Sequence, residues 1–170
     1  MKNIFTILIL LISLNSKASD NGLFTPDAAE DWSYSIAYNF FTFHHAVDKY
    51  DDEVTGEKDI DINNDNNFIG IRVNINQNLG IFIAKGENSV NEDSEIAGIE
   101  VSQDDKQWEL GSDFGLATGY KPIVSLGTVP FVNPFLRYNK QITEKSKVSI
   151  KGGVMNFMAE NFFLEYTTKF

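Results

Sequence analysis

Leu79–Val101 reads LGIFIAKGENSVNEDSEIAGIEV, the pattern of a β-hairpin. Leu79, Ile81 and Ile83 alternate with Gly80, Phe82 and Ala84 on the first arm. A polar turn runs from Gly86 to Ser94, and Ala97, Ile99 and Val101 alternate with Ile96, Gly98 and Glu100 on the second arm. A period of two sends successive side chains to opposite faces of a strand. The turn carries Asn88-Ser89, which places a serine where it could do chemistry.

The same period recurs outward from this hairpin. Trp32, Tyr34, Ile36, Tyr38 and Phe40 share a face against Ser33, Ser35, Ala37 and Asn39, and Phe41 and Phe43 then break the alternation. Ile69, Ile71, Val73 and Ile75 oppose Gly70, Arg72, Asn74 and Asn76, and Asn76-Gln77-Asn78 is a tight turn into the hairpin. Gln107 to Tyr120 is a long strand containing Trp108, Leu110, Phe114 and Leu116. A Pro-containing link from Lys121 to Pro134 leads to a short strand, Phe135 to Tyr138. Val148 to Met155 alternates again, and the last strand sets Phe162, Leu164, Tyr166, Thr168 and Phe170 against Phe163, Glu165, Thr167 and Lys169.

Eight strands result, with Arg72, Glu100, Lys151, Glu165 and Lys169 opposite the apolar stripes. Apolar-out, polar-in alternation on a secreted chain is the pattern of an outer-membrane barrel. The expected fold is therefore all-β: an eight-stranded antiparallel up-and-down transmembrane β-barrel. The soluble alternative is a lipocalin-like barrel with the apolar face inside. Aromatic stripes on the first and last strands, the even strand count and the terminal Phe170 favour the membrane form.

Composition fits this frame. The chain has 170 residues, enough for one domain, and a net charge of −10, which argues against nucleic acid. It has no cysteine, so disulfides and thiolate metal sites are excluded. Residues 1–18 read as a secretory signal peptide: basic Met1-Lys2-Asn3, apolar Ile4 to Leu14, then Asn15-Ser16-Lys17-Ala18 with cleavage after Ala18. The apolar run is too short for a membrane anchor. Residues 19–170 form the single barrel domain, with a short helical turn expected at Thr25 to Glu30. A bacterial-type outer membrane is the expected location. Residues 46–66 are crowded with carboxylates and read as a long solvated loop. Their spacing does not match a helix–loop–helix calcium loop.

Strand parity places the chemistry. With both chain ends on the inner side, the first strand runs outward and ends at Phe43-His44-His45, and the third ends at Asn88-Ser89. His44, His45 and Ser89 thus share the outer rim. A histidine base beside a serine hydroxyl is the minimal arrangement for acyl transfer. Ser and Asn are also ordinary turn residues, and His is ordinary at a solvated strand end.

Phe41-Thr42-Phe43-His44 followed by an acidic loop, Asn64-Asp65 before the strand Phe68 to Val73, Lys85 to Ser89 after the third strand, and Pro130-Phe131-Val132-Asn133-Pro134 recur in one order. In these segments the chain resembles the lipid A palmitoyltransferases of the Gram-negative outer membrane, over roughly residues 34 to 170. The resemblance implies an eight-stranded barrel with an interior acyl-chain pocket. It implies transfer of a palmitoyl chain from a phospholipid donor to lipid A or lipopolysaccharide. Carried over, His44 is the catalytic histidine, with His45 competing for the role, and Ser89 and Asn88 are its partners. Asn88 stands where the family has aspartate, and Gly86 and Glu87 separate Lys85 from Asn88 as an insertion. No metal or organic cofactor is implied, and a monomer is expected. The alternative is a non-enzymatic small barrel that modifies the cell surface or binds a partner through acidic outer loops. A lipid A deacylase would place His and Ser two apart on one strand, whereas His44 and His45 precede Ala46 and Val47.

Overall fold

The computed structural model describes residues 32–45, 49–52, 54–76, 78–105, 107–122 and 124–169. The signal peptide, the turn at Thr25 to Glu30 and Phe170 lie outside the described residues. Among the described residues ten strands form: β1 (Ser33–His44), β2 (Lys49–Tyr50), β3 (Ile60–Asp61), β4 (Phe68–Asn74), β5 (Leu79–Glu87), β6 (Asp93–Asp105), β7 (Trp108–Thr118), β8 (Thr128–Gln141), β9 (Ser146–Met155) and β10 (Ala159–Lys169). Eight of them close an antiparallel barrel in the order β1-β10-β9-β8-β7-β6-β5-β4, and β2 and β3 pair separately. The expected eight-stranded up-and-down barrel is what the chain adopts.

The barrel is apolar outside and polar within. Tyr34, Ile36, Ile71, Leu110, Leu136, Ile150 and Leu164 are among its exposed apolar side chains, while Ser35, Arg72, Glu100, Asp113, Arg137, Lys151 and Glu165 are buried. This distribution is the inverse of a lipocalin and is what lipid on the outside demands.

Two segments differ from the sequence expectation. The acidic loop of residues 46–66 carries the β2–β3 ribbon, in which Lys49 faces Asp61 and Tyr50 faces Ile60. The Lys121–Pro134 link is half strand: β8 starts at Thr128 and pairs with β7 through Pro130 and Pro134. Proline cannot donate to a ladder and is normally found at free edges. Here β8 pairs with β9 only from Phe135 onward, so both prolines stand where that second ladder is absent.

Pairing at the mouth is also incomplete on β1. It meets β10 along its full length but meets β4 only from Ser33 to Tyr38. Beyond that point the chain before β4 leaves the wall and crosses the outer end of the barrel. Gly86 permits the crossing, because a Cβ there would lie 2.1 Å from the Asn67 carbonyl oxygen.

Candidate active site at the outer rim

His44 owes its direction to a β-bulge. Through Asn39 the odd residues of β1 point inward, and Ser33, Ser35 and Asn39 are buried. The register with β10 then jumps from Asn39↔Phe163 to Phe41↔Phe162, leaving Phe40 as an extra residue. Phe40, Phe41 and Phe43 are all exposed and Thr42 is buried. One inserted residue exchanges the two faces of a strand, and bulges re-aim side chains in this way beside active sites. The broken alternation at Phe41 and Phe43 is this bulge. It turns His44 into the mouth and His45 away from it. His45 Nε2 lies 3.0 Å from Glu160 Oε1, and its ring meets the Phe43 ring edge-on at 5.1 Å. Of the two histidines, His44 is the one placed beside Ser89, and His45 is placed beside Glu160.

Ser89 sits in a turn built by Asn88, whose side chain is fully buried. Asn88 Oδ1 accepts from the Val90 and Glu92 backbone N–H groups at 3.0 and 3.1 Å, and Nδ2 donates to the Gly119 carbonyl at 3.0 Å. Gly119 has φ +84°, and a Cβ there would lie 2.5 Å from the Asp93 carbonyl oxygen. Asn88 therefore ties the β5–β6 turn to the β7–β8 loop. Its amide reaches these backbone groups, and the asparagine at the histidine ring is a different one.

That residue is Asn64. His44 Nε2 lies 2.8 Å from Ser89 Oγ, and His44 Nδ1 lies 2.8 Å from Asn64 Oδ1. An amide oxygen only accepts, so Nδ1 carries the proton and donates it. In the neutral ring Nε2 is then a bare lone pair, and the Ser89 hydroxyl donates to it. This is the tautomer a general base needs. Asn66 Nδ2 donates to Ser89 Oγ at 3.0 Å. The backbone secures the pairing: Asn63 N–H donates to the Ser89 carbonyl at 2.8 Å, Asn63 Nδ2 donates to Glu87 Oε1 at 2.9 Å, and the Tyr50 hydroxyl donates to the Val90 carbonyl at 3.2 Å.

Beneath the pair lies a cavity of about 320 Å³, in the range of about 300–1,000 Å³ usual for small-molecule sites. His44, Ser89, Asn66 and Tyr120 line its mouth, Phe68, Phe82, Ala117, Phe131 and Phe163 its wall. A buried ion cluster forms its floor. Arg72 meets Glu100 at 2.5 Å and Glu165 at 3.1 Å; Lys151 meets Asp113 at 2.6 Å and Glu100 at 3.0 Å. Arg137 meets Glu100 and Glu109 at 2.6 Å each and Glu165 at 2.9 Å. The greasy shaft therefore ends on charge, which limits how deep an apolar chain can run.

At the mouth, burial pushes the Tyr120 hydroxyl above its usual pKa. Tyr50 is raised by burial and by the carboxylates of Asp52, Glu92 and Glu57. The roles of Asn64, Asn66 and Tyr120 were not read from the sequence. The one signal for the two asparagines was the run Asn63-Asn64-Asp65-Asn66-Asn67, an amide density out of keeping with the carboxylates before it.

No family model and no curated protein matches the chain. Among solved structures it is similar to the Yersinia pestis outer membrane protein Ail in a phospholipid bilayer nanodisc, at 11% identity over 81% of this chain and 99% of that one, with a TM-score of 0.39. It is also similar to Ail, the attachment invasion locus protein of Yersinia pestis, in complex with the heparin analogue sucrose octasulfate. That match has 10% identity over 82% of this chain and 95% of the other, with a TM-score of 0.32. Neither structure is named as an acyltransferase, and the palmitoyltransferase family is not shown by these comparisons.

Proposed function

We propose that this barrel spans an outer membrane and transfers an acyl chain from a phospholipid to a hydroxyl of lipid A. The observation that carries the reading is the His44–Ser89 hydrogen bond of 2.8 Å at the mouth of an apolar cavity. The exposed apolar wall supports the membrane setting, and the rim position brings the pair to the headgroup level.

In the first half-reaction Ser89 Oγ gives its proton to His44 Nε2 and bonds to the ester carbonyl carbon. The carbonyl π pair moves onto oxygen. As it returns, the ester C–O bond breaks and the leaving lysophospholipid oxygen takes the proton from His44. In the second, the acceptor hydroxyl gives its proton to His44 and attacks acyl-Ser89, and Ser89 leaves as the protonated hydroxyl. Asn64 holds the imidazole in the base tautomer throughout.

A second reading makes the chain a non-enzymatic surface barrel that meets a partner through its outer loops. The neutral Asn64 where a triad would carry a carboxylate favours it, as does the acidity of residues 46–66. A polyanion such as the one bound in the Ail complex would meet a negative rim here, so a cationic partner is the better fit. Mass spectrometry of lipid A from cells expressing the protein separates the readings. An added acyl mass that disappears in Ser89→Ala and His44→Ala supports transfer, and an unchanged spectrum from a folded barrel supports the second.

A further inference from the structure

Two buried asparagines flank Ser89, and they are used differently. Asn88 spends both ends of its amide on backbone partners. Asn66 does not. It is 6% exposed, and among the described residues its Nδ2 donates to Ser89 Oγ alone and its buried Oδ1 has no hydrogen-bond partner. Structural asparagines satisfy both ends when buried, and an exception calls for a specific explanation. Asn66 lines the cavity beside Ser89 and His44, and the backbone bond from Asn63 to Ser89 fixes the segment that carries it.

We propose that Asn66 is a catalytic residue whose amide N–H passes from Ser89 Oγ to the ester carbonyl oxygen as Ser89 attacks. This rests on the acyl-transfer reading above. In the resting site Ser89 Oγ donates its proton to His44 and accepts from Asn66. On attack, the Oγ lone pair forms the bond to carbon and ceases to be a good acceptor. The carbonyl oxygen, two bonds from Oγ through that carbon, takes the displaced π pair, so an N–H now 3.0 Å from Oγ needs little movement to reach it. The donor is bound to the resting nucleophile and stabilises charge only where charge develops, which is how an oxyanion donor raises kcat. Tyr120, from the β7–β8 loop, lines the cavity mouth with Ser89 and Asn66.

The test uses the full barrel refolded in detergent micelles, with dipalmitoylphosphatidylcholine as donor and release of the lyso form as readout. Ser89→Ala is run in parallel, and folding is verified by mobility on an unheated gel. Asn66→Ala is expected to lower kcat about 100-fold or more with KM within about threefold of the parent. Asn66→Asp keeps the shape without the N–H, so its kcat is expected to fall about as far as in Asn66→Ala with KM near the parent. Asn66→Gln, which keeps an amide N–H, is expected to recover part of kcat, whereas a merely structural role would be better met by the isosteric Asp. Asn66→Ala within about threefold of the parent in kcat, with Ser89→Ala inactive, overturns this proposal and leaves the acyl-transfer reading standing. Ser89→Ala as active as the parent overturns both.

Discussion

Arg137 is 1% exposed and lies at the centre of the ion cluster under the cavity. Arg72, Arg137 and Lys151 there face Glu100, Glu109, Asp113 and Glu165, with Lys147 approaching Glu109 at 3.8 Å. Arg137→Met keeps much of the volume and removes one cation. Glu100 retains Arg72 and Lys151, and Glu165 retains Arg72. Glu109 fares worst, losing its closest cation and keeping the Asn139 amide at 3.2 Å and the more distant Lys147. Stranding one partner of a buried pair costs about 3–5 kcal/mol, against a typical folding stability of about 5–15 kcal/mol. Removing Glu109 as well should relieve most of that penalty, so Arg137→Met/Glu109→Gln is expected to recover at least about half of it. Equilibrium urea unfolding of the lipid-refolded barrel, followed by the fluorescence of Trp32 and Trp108, measures both variants. A loss below about 1 kcal/mol in Arg137→Met, or simple addition of the two single effects, would refute the argument that charge balance holds this floor.

Other perturbations reach the mouth. Asn64→Ala removes a hydrogen bond worth about 1 kcal/mol, so kcat in the lyso-lipid assay is expected to fall roughly five- to tenfold. Asn88→Asp restores the aspartate of the resembling family but replaces the amide that donates to the Gly119 carbonyl with a carboxylate. It is expected to lower both thermal stability and activity; a gain in activity would show that Asn88 acts on the chemistry. Deleting Phe40 removes only the bulge residue and leaves Thr42↔Asn161 and His44↔Ala159 in register. Lyso-lipid release should therefore survive, and its loss in a folded barrel would contradict the bulge assignment. Tyr120 has a raised folded pKa, mainly from burial. Its contribution is present in full below the unfolded value of about 10 and is lost as pH rises through the folded value. An ultraviolet phenolate titration should contain a late component that Tyr120→Phe removes.

The fold was legible because each barrel strand advertises two faces at once. Arg72, Lys151 and Glu165 in alternation with Ile71, Ile150 and Leu164 state both the period and which face is apolar and outward. The upper half of β8 was not legible, because Pro130 and Pro134 signal a break, and only the absent ladder to β9 makes them tolerable. At the site, parity brought His44 and Ser89 to one rim, but the choice between His44 and His45 depended on the bulge at Phe40, which alternation alone does not predict. Asn64 and Asn66 were hidden for a different reason. They follow an acidic loop, and nothing local says that residues 62–67 fold back over the mouth. Asn88, flanking Ser89 in sequence, was named a partner of His44, and in the structure its amide fastens the turn.

The account stands or falls on whether Ser89 and His44 move acyl chains. The direct measurement is lyso-lipid release, and acyl gain by added lipid A, from dipalmitoylphosphatidylcholine micelles containing the purified barrel. The account predicts both products from the parent chain, with losses of about 10²-fold or more in His44→Ala and no acyl gain in Ser89→Ala. No product from a folded parent barrel, or equal product from Ser89→Ala, would contradict it.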